Sequence, residues 1–176
     1  MTGAFLALSI LATGFLSACT TDGGSKLPNT SPNSKKEKAI TDSNLEYVSV
    51  TGSLGSAPVI GNPKGNPPAT LISRDLQVGS GSVVAPNSTL TVNYTLVAWS
   101  TGNIVDSSWS NGPGGKPAIF PLANVIPGWQ QGLPGMKAGG RRLLIVPPTL
   151  GYGANGAGPI APNETLIFVV DLIDVK

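Results

Sequence analysis

Only one segment of this chain reads as a helix, and it is about two turns long. In Pro127–Leu133 the proline suits a first helical position, where its missing N–H would be unpaired anyway. Trp129 and Leu133 share one face, which leaves Gln130 and Gln131 to face water. Pro134 and Gly135 then stop the helix. A helix this short is not stable alone and must lie on something larger. The remainder of the chain therefore has to supply a sheet.

The sheet is written in period two. Over Leu90–Trp99, the residues Leu90, Val92, Tyr94, Leu96 and Ala98 share one face, while Thr91, Asn93, Thr95, Val97 and Trp99 share the other. That alternation predicts a half-buried antiparallel strand. Ser100-Thr101-Gly102-Asn103 is a turn that returns the chain into Ile104–Ser107. Thr165–Val175 is the last strand, with Leu166, Phe168, Val170 and Leu172 on a common face. Glu46–Thr51, Thr70–Val78 and Arg141–Val146 read as further strands, and Gly52–Pro68 as a loop carrying a brief edge strand at Val59-Ile60. The fold class expected is α+β: a curved antiparallel sheet of about five strands wrapped on one short helix.

Composition narrows the chemistry. The 176 residues include 23 Gly and 16 Pro but only 11% charged side chains, which favours a loop-rich β domain with an unstructured segment. A formal charge of +2, without a basic helix, argues against nucleic acid as a partner. With no histidine and a single cysteine, neither a zinc site, nor imidazole or thiol catalysis, nor an internal disulfide is expected. The absence of a nucleophile–base pair counts against a hydrolase.

The amino terminus has its own signals. Ala4–Leu16 is an apolar run shorter than the roughly 20 residues that span a bilayer, and it has the length of a signal-peptide core. It ends in Leu16-Ser17-Ala18-Cys19, which resembles a bacterial lipobox, although no Lys or Arg precedes the run. In such a sequence the cysteine is lipidated and becomes the first mature residue. A secretory peptide with a chance cysteine remains open. From Thr20 to about Ser43 the chain is Thr, Ser, Asn, Pro, Gly and Lys, too poor in apolar residues to order itself. The organisation expected is a signal peptide over 1–18, a lipidated Cys19 with a disordered linker over 19–44, and a domain over 45–176. A tether of about 25 residues would hold that domain roughly 25–30 Å from its anchor. The protein would then be extracytoplasmic, attached to the bacterial cell membrane through lipid on Cys19.

Val125-Ile126-Pro127-Gly128-Trp129 and Gly151-Tyr152-Gly153 place a tryptophan and a tyrosine among small, glycine-punctuated surroundings, beside strands rich in Leu, Ile, Val and Phe. A chain patterned this way builds an apolar cleft with an aromatic floor and few polar groups. Such a cleft suits an apolar, partly cyclic ligand and little proton chemistry. Val125, Ile126 and Phe168 could equally be core, Trp129 on a two-turn helix is more often core than a ligand platform, and Asp106 before Ser107-Ser108 could simply cap a turn. Tyr152 is the least expected as filler, because its flanking glycines let ring and hydroxyl project.

Several of these pieces occur together in one order: Val92-Asn93-Tyr94-Thr95, Gly102 to Ser108, Phe120-Pro121-Leu122, Val125 to Trp129, Gly132 to Met136, Gly151-Tyr152-Gly153 and Thr165 to Phe168. Across about 88–176 they resemble the FKBP-type (immunophilin) peptidyl-prolyl cis–trans isomerases. The resemblance implies a pocket with Trp129 as floor and Tyr94, Val125, Ile126 and Phe168 as walls, with Val105 and Phe120 also among the substrate-binding positions. It implies that Tyr152 presents its hydroxyl to a ligand carbonyl, that Ile160 closes a flap, and that Asp106 is the single acid at the rim. Asp106, Tyr152 and Tyr94 become the catalytic candidates. Pro-containing polypeptides would be the substrates, macrolides possible inhibitors, no cofactor or metal required, and the chain a monomer. Three positions depart from the family pattern. Val105 stands where an aromatic commonly precedes the Asp, Ala118 stands where a second pocket aromatic is usual, and the loop after Gly156 is about one residue shorter, with Ala157 in place of a histidine. Fewer rings imply a wider, less enclosing pocket. Val105 and Ala118 thereby favour the alternative of a chaperone or binding module for Pro-containing or unfolded segments with little turnover.

Overall fold

The computed structural model describes residues 41–42, 46–110 and 115–176. The expected signal peptide, Cys19 and most of the expected linker lie outside the described residues. Nine strands and one α-helix are described: β1 Thr41–Asp42, β2 Val50–Thr51, β3 Val59–Ile60, β4 Ile72–Gln77, β5 Thr89–Ala98, β6 Ile104–Ser107, β7 Ala118–Pro121, α1 Pro127–Gly132, β8 Gly140–Val146 and β9 Leu166–Val175. Short 3-10 turns occupy Ser108–Ser110, Leu122–Asn124, Pro148–Leu150 and Gly153–Asn155.

The main sheet runs in the order β4-β8-β9-β5-β6, and a small one in the order β1-β2-β3. Every described pairing is antiparallel. β7 joins the main sheet alongside β5, pairing Thr89–Val92 with Ala118–Pro121, while β6 pairs with the other half of β5 around Thr95, Leu96 and Val97. β9 is central, flanked by β8 and β5 along nearly its whole length.

The period-two pattern sorts residues to faces as expected, but both faces are covered. Leu90, Val92 and Leu96 of β5 join Leu166, Phe168, Val170 and Leu172 of β9 in one cluster, packed with Trp129 of α1 and with Leu133, which caps its end. Val97, Ile167 and Val169 join Leu143 and Ile145 of β8 in a second cluster with Val48 and Val50. The half-buried strand expected over Leu90–Trp99 is therefore corrected. Residues 47–60 fold back over the second face, and Thr95 and Asn93, which alternate as polar residues, are themselves buried. The strand expected over Glu46–Thr51 shortens to Val50–Thr51, and one pairing, β1, reaches back into the stretch expected to be linker. β7 was not foreseen. It is only four residues long and ends in Pro121, the kind of residue that reads against a strand except at an edge.

Adjacent arginines in β8 tie covering elements to the two faces. Arg142 forms a two-pronged ion pair with Asp75 of β4 at 2.7 and 2.9 Å and donates to the carbonyl of Gly132 at 2.9 Å. That last bond satisfies an orphan carbonyl at the end of α1. Arg141 is fully buried and pairs through two nitrogens with Asp171 of β9, one bond at 2.6 Å. It also donates to the carbonyls of Gly52 at 2.9 Å and Ser56 at 2.7 Å, and the N–H of Gly55 donates to Asp171 at 3.3 Å. The loop after β2 is thereby clasped to the sheet.

Two glycines seat the helix. A Cβ on Gly128 would lie 2.4 Å from Cγ1 of Val146, and one on Gly132 would lie 2.7 Å from Cδ2 of Leu144. Only a bare backbone can come this close to β8, so these glycines set the height of α1 above the sheet.

Candidate active site

Trp129 leaves α1 from its first turn and is 4% exposed. Its indole meets the rings of Tyr94, Phe120 and Phe168 nearly edge-on, at 5.8, 5.8 and 5.4 Å between centroids. These T-shaped contacts are the favoured geometry for ring quadrupoles. The indole is not sealed under the core, for a cavity of about 330 Å³ lies against it. Tyr94, Asp106, Phe120, Val125, Ile126, Trp129, Tyr152 and Phe168, all expected from the sequence, border that cavity.

Two expected residues do not border it. Ile160 is 8% exposed and belongs to the core cluster, because reciprocal hydrogen bonds between Ala157 and Ile160, at 3.0 and 2.9 Å, close a tight loop that tucks it inward. Val105 is a half-buried residue packed against the same cluster and is not among the lining residues. Conversely, Leu96 and Asn124 border the cavity without having been singled out. Leu96 shares the Tyr94 face of β5, so alternation already carried its signal. Asn124 ends a 3-10 turn just before Val125, where no periodic pattern points to it.

The polar groups are few and fixed. Tyr94 donates its hydroxyl to the carboxylate of Asp106 in a short hydrogen bond. At the other end of the same residue, its backbone N–H donates to Oγ of Ser108 at 3.0 Å, and that hydroxyl donates to the buried Oδ1 of Asn93 at 2.9 Å. The Tyr94 phenol is held well above the ordinary tyrosine range. Burial is the largest cause, followed by the hydrogen bond to Asp106 and its charge, then by Tyr152. Tyr94 is thus a neutral donor at any physiological pH. Among the described residues, Asp106 is the only carboxylate in the lining, and no Lys or Arg borders it. Tyr152 is 40% exposed between Gly151 and Gly153, the latter at φ +63, so the loop presents the ring at the mouth. Gln130 holds the segment that carries Val125, donating to the carbonyls of Ala123 at 3.2 Å and Val125 at 2.7 Å. The Nε1–H of Trp129 is buried with no hydrogen-bond partner among the described atoms. An apolar floor, two phenolic hydroxyls and one engaged carboxylate can grip a ring and its flanking carbonyls, but the described lining holds no pair able to activate a nucleophile.

Residues 81–173 match the family model described as FKBP-type peptidyl-prolyl cis-trans isomerase. The "FK506-binding protein" of Streptomyces anulatus is 49% identical over 122 residues, covering 67% of this chain and 96% of that protein. The "Outer membrane protein MIP" of Legionella longbeachae is 40% identical over 112 residues, 62% of this chain and 46% of that one. The crystal structure of FkpA from Escherichia coli aligns with a TM-score of 0.56 at 40% identity, covering 60% of this chain and 48% of its own. The chain thus spans about half the length of the latter two.

Proposed function

This chain belongs to the FKBP-type peptidyl-prolyl cis–trans isomerases, and from that premise we propose how its cavity turns the prolyl bond and where the protein works. The activity is the isomerisation of X-Pro bonds in polypeptides. Rotation about a peptide bond faces a barrier of about 18–20 kcal/mol because amide resonance must be broken. For X-Pro the two isomers lie close in energy but exchange over roughly tens to hundreds of seconds. No covalent bond has to be cut. The catalyst must favour the twisted amide, which has lost charge separation, over the dipolar planar one. An apolar cavity does this, since water stabilises the planar form more. Each roughly 1.4 kcal/mol of that preference is tenfold in rate.

Trp129, Val125, Ile126 and Phe168 seat the prolyl ring, with Phe120 closing one side. Tyr152 and the backbone of Ile126 hold the flanking carbonyls. Asp106 organises Tyr94 and steers the rotating carbonyl through it. Val105 and Ile160 support the wall and the flap from behind. The hollow against the Trp129 indole carries this reading. Its test is the isomerisation rate of an X-Pro peptide with Asp106→Ala, Tyr152→Phe and Trp129→Leu; unchanged rates in all three remove the assignment. A second reading, a weakly catalytic chaperone or binding module, draws on the failure of Val105 to reach the cavity. It expects peptide binding with negligible turnover.

The protein carries a signal peptide over 1–18 and a lipid on Cys19, then a linker over 19–44 and the isomerase domain over 45–176. It acts as a monomer outside the cytoplasm, at the bacterial cell membrane, on exported or envelope proteins. The lipobox-like Leu16-Ser17-Ala18-Cys19 supports this, as does likeness to a protein named for the outer membrane. Labelling with a fatty-acid analogue, lost in Cys19→Ser, tests it. Macrolide binding in the same cavity is supported by its apolar lining and by the name of the Streptomyces relative.

A further inference from the structure

A second concavity of about 230 Å³ lies where β5 ends, formed by Pro67, Trp99, Ser100 and residues 161–165. Its walls are the half-buried indole of Trp99 and the exposed rings of Pro67 and Pro162. Its base is rigid. The buried carboxylate of Glu164 accepts from the N–H of Ser100 at 2.9 Å and from its hydroxyl at 2.6 Å, and the N–H of Trp99 donates to the carbonyl of Thr165 at 3.0 Å. Asn163 is the only non-glycine residue, among those described, with φ in the left-handed region, at 56°. Such a conformation persists where surrounding contacts impose it, and it recurs at ligand clamps.

A backbone contact at the same residue links the neighbourhoods of the two concavities. Asn163 donates its N–H to the carbonyl of Gly153 at 2.9 Å, and Gly153 follows Tyr152. The groove's rim is therefore hydrogen-bonded to the residue beside the pocket's rim. Among the described residues no Lys or Arg lines the groove, and an indole framed by proline rings is a surface that receives extended or polyproline-like chain.

Resting on the isomerase reading above, we propose that this groove is an exosite for the same substrate. It takes an apolar or prolyl side chain of the client, some residues away from the X-Pro bond seated on Trp129. Long unfolded clients then bind through two points, while short peptides engage the pocket alone.

The experiment compares kcat/KM for a short X-Pro peptide with that for the same peptide extended by proline and leucine residues, on either side in turn. It uses the native chain and the variants Pro67→Asp and Ala161→Asp, both at exposed groove positions outside the pocket. In the native chain one of the extensions raises kcat/KM by about fourfold for each methylene group that it buries in the groove. Both variants lose that increase and keep the short-peptide rate. Because the quantity read is the ratio of extended to short peptide, a loss of folded protein cancels. No increase from either extension, or an increase that survives both variants, overturns the exosite. Failure to turn over the short peptide would instead strike the pocket assignment itself.

Discussion

Arg141 and Arg142 are neighbours in β8, and because a strand alternates they serve opposite faces of the sheet. Arg142 reaches toward β4 and the end of α1, on the face where Trp129, Phe168, Phe120 and Tyr94 meet edge-on. Arg141 reaches toward the loop after β2, on the face where Val48, Val50, Leu143, Ile145, Ile167 and Val169 interdigitate. The two sides use the same device and different side chains. Branched aliphatics fill space and close the interior of one face, leaving hollows only at its borders, about 110 Å³ beside Tyr47 and about 230 Å³ beside Trp99. Rings standing edge to face cannot fill space that way, and about 330 Å³ stays open beside them. The interior of one face is closed, and that of the other stays open beside its rings.

The sharpest way to break this comparison is Arg141→Leu. It leaves Asp171 buried without its partner, and stability should fall by about 3–5 kcal/mol. Denaturant unfolding reads the loss. Isomerase turnover per folded molecule should hold, and if it collapses in step, the two faces are not separable. Arg142→Met comes next. Asp75 is partly exposed, so the loss should be smaller, about 2–3 kcal/mol for the charged hydrogen bonds removed. Here activity should drop as well, because the end of α1 loses its anchor. Gly128→Ala should cost about 1–3 kcal/mol by overpacking against Val146. It should also lift Trp129, raising KM more than it lowers the melting temperature; an unaffected KM would mean that helix height does not set the floor.

The smallest effect belongs to Asp106→Asn, under about 1 kcal/mol near neutral pH, since the amide still accepts from Tyr94. Its signature is in pH. The folded-state pKa of Tyr94 is raised, so its contribution to stability is full below the ordinary tyrosine value of about 10 and is lost as pH rises above it. Burial is the larger cause and survives the substitution. Phenolate absorbance of Tyr94 should therefore appear at lower pH than in the native chain, yet still above that of an exposed tyrosine.

The rings were legible because they stand in patterned strands or beside helix punctuation. Tyr94 and Phe168 follow from alternation, and Trp129 from a helix framed by Pro127 and Pro134. The ion pairs that hold the covering elements were not legible. Asp171 and Asp75 lie 30 and 67 residues from their arginines, and nothing local in the sequence signals such a pairing. For the same reason the strand at Leu90–Trp99 looked half-buried, since its second cover comes from a distant segment. Ile160 shows the converse limit. A motif gives a residue's place in the chain but not which way a tight turn delivers it.

β9 is the last strand of this chain and the centre of its main sheet. Until those ten residues are in place, β8 and β5 have no strand between them, and the β5–β6 hairpin stays apart from the β4–β8 pair. Loop closure over long separations must come before most of the pairing energy, which places such a topology among slower folders, on the order of milliseconds to seconds. During that interval the strand edges stand open to aggregation, so this catalyst of folding shares the hazard of the chains it serves.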